Sequence, residues 1–354
     1  MEGRFALKNI LSRAVRAIAR RLPQADTDRP AALQVWLDTF EDVFAVPPTA
    51  SHIERLSWLS QAGPLTPPRR YRRVLAAFDQ QDLHSSMSVR WGPEDVRLRE
   101  VAGVSLYLDD ADLSVAQVIA AGAYEPHLIK FFQLFLREGM KVVDAGANVG
   151  LYTMISARAV GPRGRVWSFE PNSENCRFIV ASAAANGFEN IELFPVALGS
   201  ERGFVYFTSA IGSNGGMQEL AKNNALDPSC RIVPQLRLDD IAIPNLDFMK
   251  MDVEGAEALL MQGAEHTLER CRPVIVSEFS DEMLRRISGR DGSRFLQFFA
   301  DRGFDCFVFD KETHELKPVS DPQAFAREFA GTVRIEDLLL CPAEKVGTLP
   351  VGNK

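Results

Sequence analysis

The chain has 354 residues, of which 46% are hydrophobic and 25% are charged. This is the composition of a globular protein, and it excludes a disordered or collagen-like chain. No apolar run approaches the roughly 18–20 residues that span a bilayer, so we expect no transmembrane segment. The net charge of −7 disfavours a nucleic-acid partner. The length exceeds that of a usual domain and predicts two domains.

The charge is unevenly distributed along the chain. Residues 1–22 contain six basic residues and one acidic residue, whereas the remainder carries a net charge of −12. Within 4–22, apolar residues recur at helical spacing and arginines share another face, which predicts a basic amphipathic helix. Such a helix binds a membrane surface, docks on a partner helix or packs on its own protein, and the sequence leaves these alternatives open. Further helices at 31–44 and 53–61 make residues 1–90 a helical N-terminal region.

The cysteines and the first residues bear on the compartment. Five scattered cysteines without a CxxC pair are neither a disulfide framework nor a zinc site, and they suit a reducing environment. The first residues also lack the compact apolar run of a secretory signal. We therefore expect a cytoplasmic protein, with peripheral membrane contact through 4–22 as an open alternative. The sequence does not specify an oligomeric state.

From residue 140 onward, short β-rich runs alternate with helical segments. Strands are expected at 141–144, 165–170, 190–194, 246–252, 274–279 and 304–309, and helices at 150–159, 173–186, 256–268 and 294–302. This alternation predicts a parallel sheet with helices on both faces. A run at 337–340 is expected to add an edge strand, and alternating residues at 96–108 predict a small β-ribbon before the sheet. A glycine-containing insertion at 208–235 is expected to be a loop, either a substrate lid or a plain excursion.

The run from Asp144 to Gly150 is a strand that enters a glycine turn and then a helix. Gly146 allows a tight turn against a ligand, and Gly150 allows the helix to start close to the strand. A dinucleotide fingerprint would need a second glycine where Asn148 stands, and Asp144 would crowd a pyrophosphate. The spacing therefore favours a ligand without phosphates.

Glu170 closes the next strand, 24 residues after Gly146. A carboxylate at this point can accept hydrogen bonds from both hydroxyls of a ribose. An acidic strand end is common by itself. Combined with the Asp144–Gly150 turn, however, it indicates an adenosyl ligand.

Three ordered motifs carry a family resemblance: DAGANVGLY at 144–152, FEPN at 169–172 and DFMKMDVEGAE at 247–257. They resemble the FkbM family of class I S-adenosylmethionine-dependent methyltransferases over roughly residues 96–345. The resemblance implies a Rossmann-like class I methyltransferase fold, with a mostly parallel sheet of seven strands and helices on both faces. The helical N-terminal extension lies outside it.

The resemblance also implies where the cofactor S-adenosylmethionine binds. Asp144, Gly146, Asn148 and Gly150 would frame its methionine end, Glu170 its ribose and Ala197 its adenine. Tyr124 and Glu125, within a GAYEP stretch that also fits the family, could close over the cofactor or serve only local packing and capping.

The acceptor side is predicted at the end of the strand at 246–252. Lys250 and Asp252 share a strand face, and Glu254 follows at the turn. A lysine inside a central strand requires a partner, for which Asp252 and Asp144 are the candidates. We predict Asp252, Glu254 and Lys250 as catalytic residues, with Asp252 or Glu254 taking the acceptor's proton, and Glu278 as a third carboxylate. These carboxylates leave Mg²⁺ open as a cofactor, although we assign no metal ligand. We assign no catalytic role to any histidine, although His127 could reach the site.

The function predicted from the resemblance is S-adenosylmethionine-dependent O-methylation of a hydroxyl on a sugar, glycan or secondary-metabolite acceptor. Two alternatives stay open from the residues alone. One is a nicotinamide-dependent oxidoreductase, which the missing G-x-G-x-x-G disfavours. The other is a non-catalytic, cofactor-binding assembly partner, which the intact carboxylates disfavour.

Overall fold

A computed structural model describes residues 88–91, 94–110, 112–211, 214–218 and 230–350. The helices predicted at 4–22, 31–44 and 53–61 lie outside these residues. The strands in chain order are β1 (Ser88–Trp91), β2 (Glu94–Val101), β3 (Val104–Asp109), β4 (Lys141–Ala145), β5 (Arg165–Phe169), β6 (Ile191–Phe194), β7 (Ala197–Leu198), β8 (Gly203–Ile211), β9 (Asn214–Gln218), β10 (Cys230–Leu236), β11 (Phe248–Met251), β12 (Val274–Phe279), β13 (Phe304–Phe309), β14 (Leu316–Pro318) and β15 (Glu336–Pro342).

The helices of the described residues connect these strands. In chain order they are α1 (Ala116–Ala120), α2 (Pro126–Phe135), α3 (Leu151–Val160), α4 (Ser173–Asn186), α5 (Glu257–Gln262), α6 (Glu265–Cys271), α7 (Asp281–Ser288), α8 (Gly292–Ala300) and α9 (Pro322–Phe329). None of them is long and apolar enough to cross a membrane. α4 has the predicted bounds because the Asn172 side chain caps its start and Gly187 ends it in a left-handed conformation.

The central sheet has eight strands in the order β14-β13-β15-β12-β11-β4-β5-β6. β12, β11, β4, β5 and β6 run parallel to one another, as the βαβ alternation predicts. Every residue of β11 is buried, and so are residues 142–145 of β4. One large apolar cluster lies on each face of the sheet, which agrees with a parallel sheet covered by helices on both sides. The predicted Rossmann-like class is confirmed.

The strand predicted at the sheet edge was placed wrongly. β15 lies between β12 and β13 and is antiparallel to both. Residues 337–342 of β15 are all buried, as expected for a strand with neighbours on both sides. The sheet also has eight strands rather than the predicted seven, because β14 pairs with β13 as a hairpin.

The helix predicted at 256–268 is two helices. Gly263 separates α5 from α6, and a Cβ at this glycine would lie 2.0 Å from the carbonyl oxygen of Gly199. The backbone of another segment thus approaches so closely that only glycine fits, and the helix is interrupted there.

The insertion predicted as a loop at 208–235 is β-structure in its described residues, 208–211, 214–218 and 230–235. β8, β9 and β10 join β7 in a second sheet of order β7-β10-β8-β9. Its inner face carries Val205, Phe207 and Val233, which pack with Ala197 and Ala256 beside the central sheet. The predicted β-ribbon is confirmed in β2 and β3, which pair in register with β1 added outside β2.

Candidate active site

The turn between β4 and α3 brings the chain into close contact with the end of β11. Gly146 has φ +79°, and a Cβ there would lie 1.7 Å from the carbonyl oxygen of Asp252. Gly150 has φ +93° and packs so closely on Ile179 of α4 that a Cβ would lie 2.8 Å from Ile179 Cγ1. Both glycines therefore serve the close approaches that the sequence pattern predicts.

Glu170 follows β5 and is buried, with 4% of its surface exposed. Its Oε2 accepts a hydrogen bond from the Asn148 backbone amide at 2.8 Å, and its Oε1 accepts one from the Asn172 amide at 2.7 Å. Burial raises the pKa of Glu170 to about 8, although these two amides favour the charged form. Each oxygen still has acceptor capacity for a ligand hydroxyl. Asn148 has φ +50°, which aims its amide at Glu170.

A cleft opens beyond the carboxyl ends of β4, β5 and β11. Four of the predicted site residues line it: Gly146, Glu170, Ala197 and Asp252. The second sheet contributes Phe207 from β8 and Gly216 from β9. The cleft lies where ligands bind in open α/β sheets, and the insertion covers it as a sheet rather than as a loop.

Asp144 lies inside the sheet, next to the cleft, and is 1% exposed. Its Oδ2 accepts a hydrogen bond from the Thr153 hydroxyl at 2.5 Å, whereas its Oδ1 is buried without a hydrogen-bond partner. Burial raises the pKa of this carboxyl, and the nearby Lys250 ammonium opposes the shift. A buried, unpaired carboxylate oxygen is costly unless a cation or donor compensates it.

Lys250 is the cation that compensates this group of carboxylates. Its Nζ lies 2.7 Å from Asp252 Oδ2, and the ammonium also stands 4.9 Å from the centre of the Tyr152 ring. Lys250 pairs in register with Asp144 on the neighbouring strand. Burial opposes the charged form, but Asp252, Asp144 and Glu125 outweigh it and raise the pKa of Lys250. The predicted Lys250–Asp252 pairing is confirmed.

Glu254 follows Asp252 in a tight turn, with φ +55°. Burial and the charge of Asp252 raise its pKa to about 7, and Lys250 and Arg286 oppose the shift. β9 passes directly over it, since a Cβ on Gly216 would lie 3.1 Å from Glu254 Cβ. The same turn is held from within by Glu257, whose Oε1 accepts hydrogen bonds from the amides of Val253 and Gly255.

Glu278, on β12, completes the carboxylates predicted on this side. Burial, followed by the charges of Asp252 and Glu254, raises its pKa well above the ordinary value. Within the described ranges, however, no group of three or more histidine, cysteine, aspartate or glutamate side chains is arranged to hold a metal ion. The structure thus lends no support to Mg²⁺ at these carboxylates.

Tyr124 and Glu125 reach this group from the start of α2. Glu125 Oε2 accepts a hydrogen bond from the Tyr152 hydroxyl at 2.6 Å. Burial raises the pKa of Glu125, and Lys250 opposes that shift. Burial also raises the pKa of Tyr124, and the carboxylates of Glu125, Asp252, Glu278 and Glu254 add to the effect. The two residues therefore lie beside the predicted acceptor side rather than among the residues that line the cleft.

The sequence did not assign a role to Tyr152, His127 or Asp337. His127 Nε2 lies 2.8 Å from Asp337 Oδ2, and both side chains are buried. Asp337 is the cross-strand neighbour of Glu278. The prediction of β15 at the sheet edge did not bring Asp337 next to Glu278 and His127. Tyr152 belongs to the 144–152 motif, but nothing in the sequence pattern indicates that Glu125 is its partner.

The fold and the cleft together define a class. The strand order, with the antiparallel β15 beside the last strands and a glycine turn over the sheet end, fits the class I methyltransferase fold that the resemblance implies. Residues 144–306 match the family model described as the methyltransferase FkbM domain. The predicted resemblance to the FkbM family of S-adenosylmethionine-dependent methyltransferases is confirmed over these residues.

Three known proteins are similar to the chain. The protein-L-isoaspartate O-methyltransferase 1 of Archaeoglobus fulgidus is 29% identical over 127 residues, which are 34% of this chain and 57% of that protein. The structure of methyltransferase FkbM from Methylobacillus flagellatus is 16% identical with a TM-score of 0.35, covering 65% of this chain and 55% of that one. The structure of precorrin-6y C5,15-methyltransferase from Geobacter metallireducens is 14% identical with a TM-score of 0.35, and the match covers 67% of this chain and 94% of that one. The chain thus spans little more than half the length of the first two proteins.

Proposed function

We propose that the protein uses S-adenosylmethionine to methylate a hydroxyl of a sugar, glycan or secondary-metabolite acceptor. The observation that carries this proposal is the Lys250–Asp252 pair at the end of β11, next to a cleft lined by Gly146 and Glu170. The match to the FkbM family model supports S-adenosylmethionine as the methyl donor. The name of the curated relative, an O-methyltransferase, supports oxygen as the acceptor atom.

The residues present fit the cofactor. Glu170 has acceptor capacity on both oxygens for ribose hydroxyls, Ala197 lines the cleft where adenine would pack, and Gly146 lines it where the methionine end would lie. The buried, unpaired Oδ1 of Asp144 suits the cationic end of this ligand. When bound, S-adenosylmethionine supplies a methyl group already activated by the positive sulfur.

The chain's own task is to orient the acceptor hydroxyl and to take its proton. Asp252 Oδ2 is held by Lys250 Nζ, which leaves Oδ1 for the acceptor. Because Lys250 holds the carboxylate in place, Asp252 can accept the hydroxyl proton as the oxygen attacks. Glu254 has a pKa of about 7 and lies in the same turn, so it is suited to pass that proton to solvent. Alignment of the acceptor supplies much of the acceleration.

The charges on this side also bear on the acceptor. The charges of Asp252 and Glu254 raise the pKa of Glu278, so the three carboxyl groups lie near one another. Lys250 is already paired with Asp252. A phosphorylated or carboxylated acceptor would meet the Asp252 carboxylate, whose cation Lys250 is already paired, whereas a neutral polyol can donate hydrogen bonds to the carboxyl groups. We therefore infer an uncharged, hydroxylated acceptor.

The experiment is a transfer assay with methyl-labelled S-adenosylmethionine and two matched acceptor panels. One panel holds neutral glycosides and hydroxylated polyketides, and the other their phosphorylated or carboxylated counterparts. Label in an ether-linked methyl group of a neutral acceptor supports the proposal. Label only on nitrogen, carbon or a carboxylate, or only in the anionic panel, contradicts it.

A further inference from the structure

Tyr152 connects two parts of the site that come from distant stretches of the chain. It is the second residue of α3, directly after the glycine turn, and 4% of its surface is exposed. Its hydroxyl donates a hydrogen bond to Glu125 at 2.6 Å, and its ring stands 4.9 Å from Lys250 Nζ. One side chain thus contacts both the lysine that holds Asp252 and the carboxylate at the start of α2.

The backbone around Glu125 is not stabilised by helix capping. Glu125 is the N-cap of α2 with φ +42°, a conformation that residues with a Cβ seldom adopt, and its side chain makes no capping hydrogen bond. Instead the carboxylate turns away to meet Tyr152. The neighbouring residues 121–123 are exposed. The amides of residues 121–123 donate to carbonyls of α1, so the Glu125–Tyr152 contact is what ties down the other end of the segment, next to α2.

Those residues lie against the acceptor side. The charges of Asp252, Glu254 and Glu278 raise the pKa of Tyr124. The charge of Lys250 lowers the pKa of Glu125, and that of Asp252 raises it. α2 has a second polar tether two residues further along, the His127–Asp337 contact at 2.8 Å. With α2 tethered there and residues 121–123 bonded to α1, the Tyr152 hydrogen bond fixes Glu125 between them.

We propose that Tyr152 is a positioning residue, which acts through Glu125 to hold residues 121–125 over the site beside Lys250. The inference rests on the proposed function where it says that the segment covers a methyl-acceptor site. The Tyr152–Glu125 contact itself is independent of that function. Tyr152 is not among the residues that line the cleft, and its contacts on this side are with Glu125 and Lys250, so we infer that its effect on the ligand passes through these two residues.

The first test is Tyr152→Phe in the full chain, which removes the hydroxyl and keeps the ring over Lys250. The Leu128 and Ile129 amides, which donate to the Glu125 carbonyl, should exchange hydrogen at least about fivefold faster. The affinity for S-adenosylhomocysteine should fall about tenfold, as expected for a hydrogen bond to a charged group. The matched control is Tyr206→Phe, on the outer face of β8, which should change neither. Unchanged exchange and affinity in Tyr152→Phe would overturn the proposal.

The second test separates positioning from general loosening. If Tyr152 acts through Glu125, the double variant Tyr152→Phe/Glu125→Gln should bind S-adenosylhomocysteine less than about twofold more weakly than Glu125→Gln alone. Losses of affinity that add up in the double variant would contradict the proposal. The charged or titratable groups facing Glu125 are Lys250, Asp252, Asp337, Tyr124 and Tyr152. Since the Tyr152 hydrogen bond lowers the pKa of Glu125, Tyr152→Phe should move the acid limb of binding to higher pH. An equal loss at every pH would indicate a structural role only.

These readouts distinguish the two proposals. A wild-type protein that fails to bind S-adenosylhomocysteine contradicts the proposed function, while the exchange rates still decide whether Tyr152 holds the segment. A wild-type protein that binds normally, with Tyr152→Phe indistinguishable from it, contradicts only the positioning role.

Discussion

Lys250 Nζ and Asp252 Oδ2 lie 2.7 Å apart, in a pair formed within one strand end rather than across the sheet. Lys250 is 4% exposed, while the Asp252 side chain keeps 22% exposure and lines the cleft. The buried cation thus orients a carboxylate that a substrate can reach. The proposed chemistry depends on this asymmetry.

Replacing Asp252 with Asn should reduce turnover by about 10²–10⁴-fold, the usual contribution of a general base. The amide oxygen can still accept the Lys250 hydrogen bond, so S-adenosylhomocysteine affinity should stay within about threefold. Steady-state kinetics and calorimetry measure the two quantities. Asp305→Asn, at an exposed position on β13, is the matched control. A variant that keeps more than about a tenth of wild-type turnover would remove Asp252 from the base role.

Replacing Glu170 with Ala should weaken S-adenosylhomocysteine binding at least about tenfold, because two acceptor oxygens for ligand hydroxyls are lost. The Asn148 and Asn172 amides also lose their partner. Calorimetric titration measures the change, with the exposed Glu328→Gln on α9 as the control. Equal affinities of the two variants would be incompatible with a ribose site at Glu170.

Gly146 and Gly139 both have positive φ, so replacing each with Ala should cost similar backbone strain, and any further difference reflects what surrounds the added Cβ. A Cβ at Gly139 meets nothing within 4 Å, so Gly139→Ala should cost about 1–2 kcal/mol of unfolding free energy from conformation alone. Gly146→Ala adds the clash with the Asp252 carbonyl and should cost more than about 3 kcal/mol or prevent folding. Urea unfolding gives both values. Similar costs for the two variants would mean that the turn is not packed as described.

Glu257 should make the stability depend on pH. It is 2% exposed, and burial raises its pKa to about 7 from an ordinary value near 4.5. A carboxyl with a raised pKa in the folded state binds protons more tightly there, so its stabilisation is complete below pH 4.5 and is lost as pH rises towards 7. Glu257→Gln keeps the acceptor oxygen but does not ionise. Relative to wild type it should gain up to about 3 kcal/mol between pH 4.5 and 8.

The check is urea unfolding of wild type and Glu257→Gln across that pH range, with Glu282→Gln, exposed on α7, as the control. The difference between wild type and Glu257→Gln should widen with pH, whereas the control should follow wild type. A constant difference would show that Glu257 titrates with the same pKa in both states.

The sequence allowed the sheet, the glycine turn and the Lys250–Asp252 pair to be predicted because each is local. Strand and helix alternation, glycine spacing and the two-residue strand period are all properties of a short window. The place of β15 is not such a property, because a short buried run has the same composition at an edge as between two strands. The second sheet was missed because its strands are separated by glycines and polar residues that resemble a loop.

The contacts of Tyr152 and His127 were missed for a related reason. Tyr152 and Glu125 are 27 positions apart, and His127 and Asp337 are 210 apart, so only the folded chain brings them together. Without an alignment of homologues, no pattern in a single sequence marks such pairs.

The central claim is an S-adenosylmethionine site in the cleft at Gly146 and Glu170, and calorimetric titration of the full chain with S-adenosylhomocysteine tests it most directly. We predict saturable binding at one site per chain, weakened by Glu170→Ala and unchanged by Glu328→Gln. No binding up to about millimolar concentration, where the binding free energy would be only about −4 kcal/mol, would contradict the claim. So would tighter binding of NAD in the same titration.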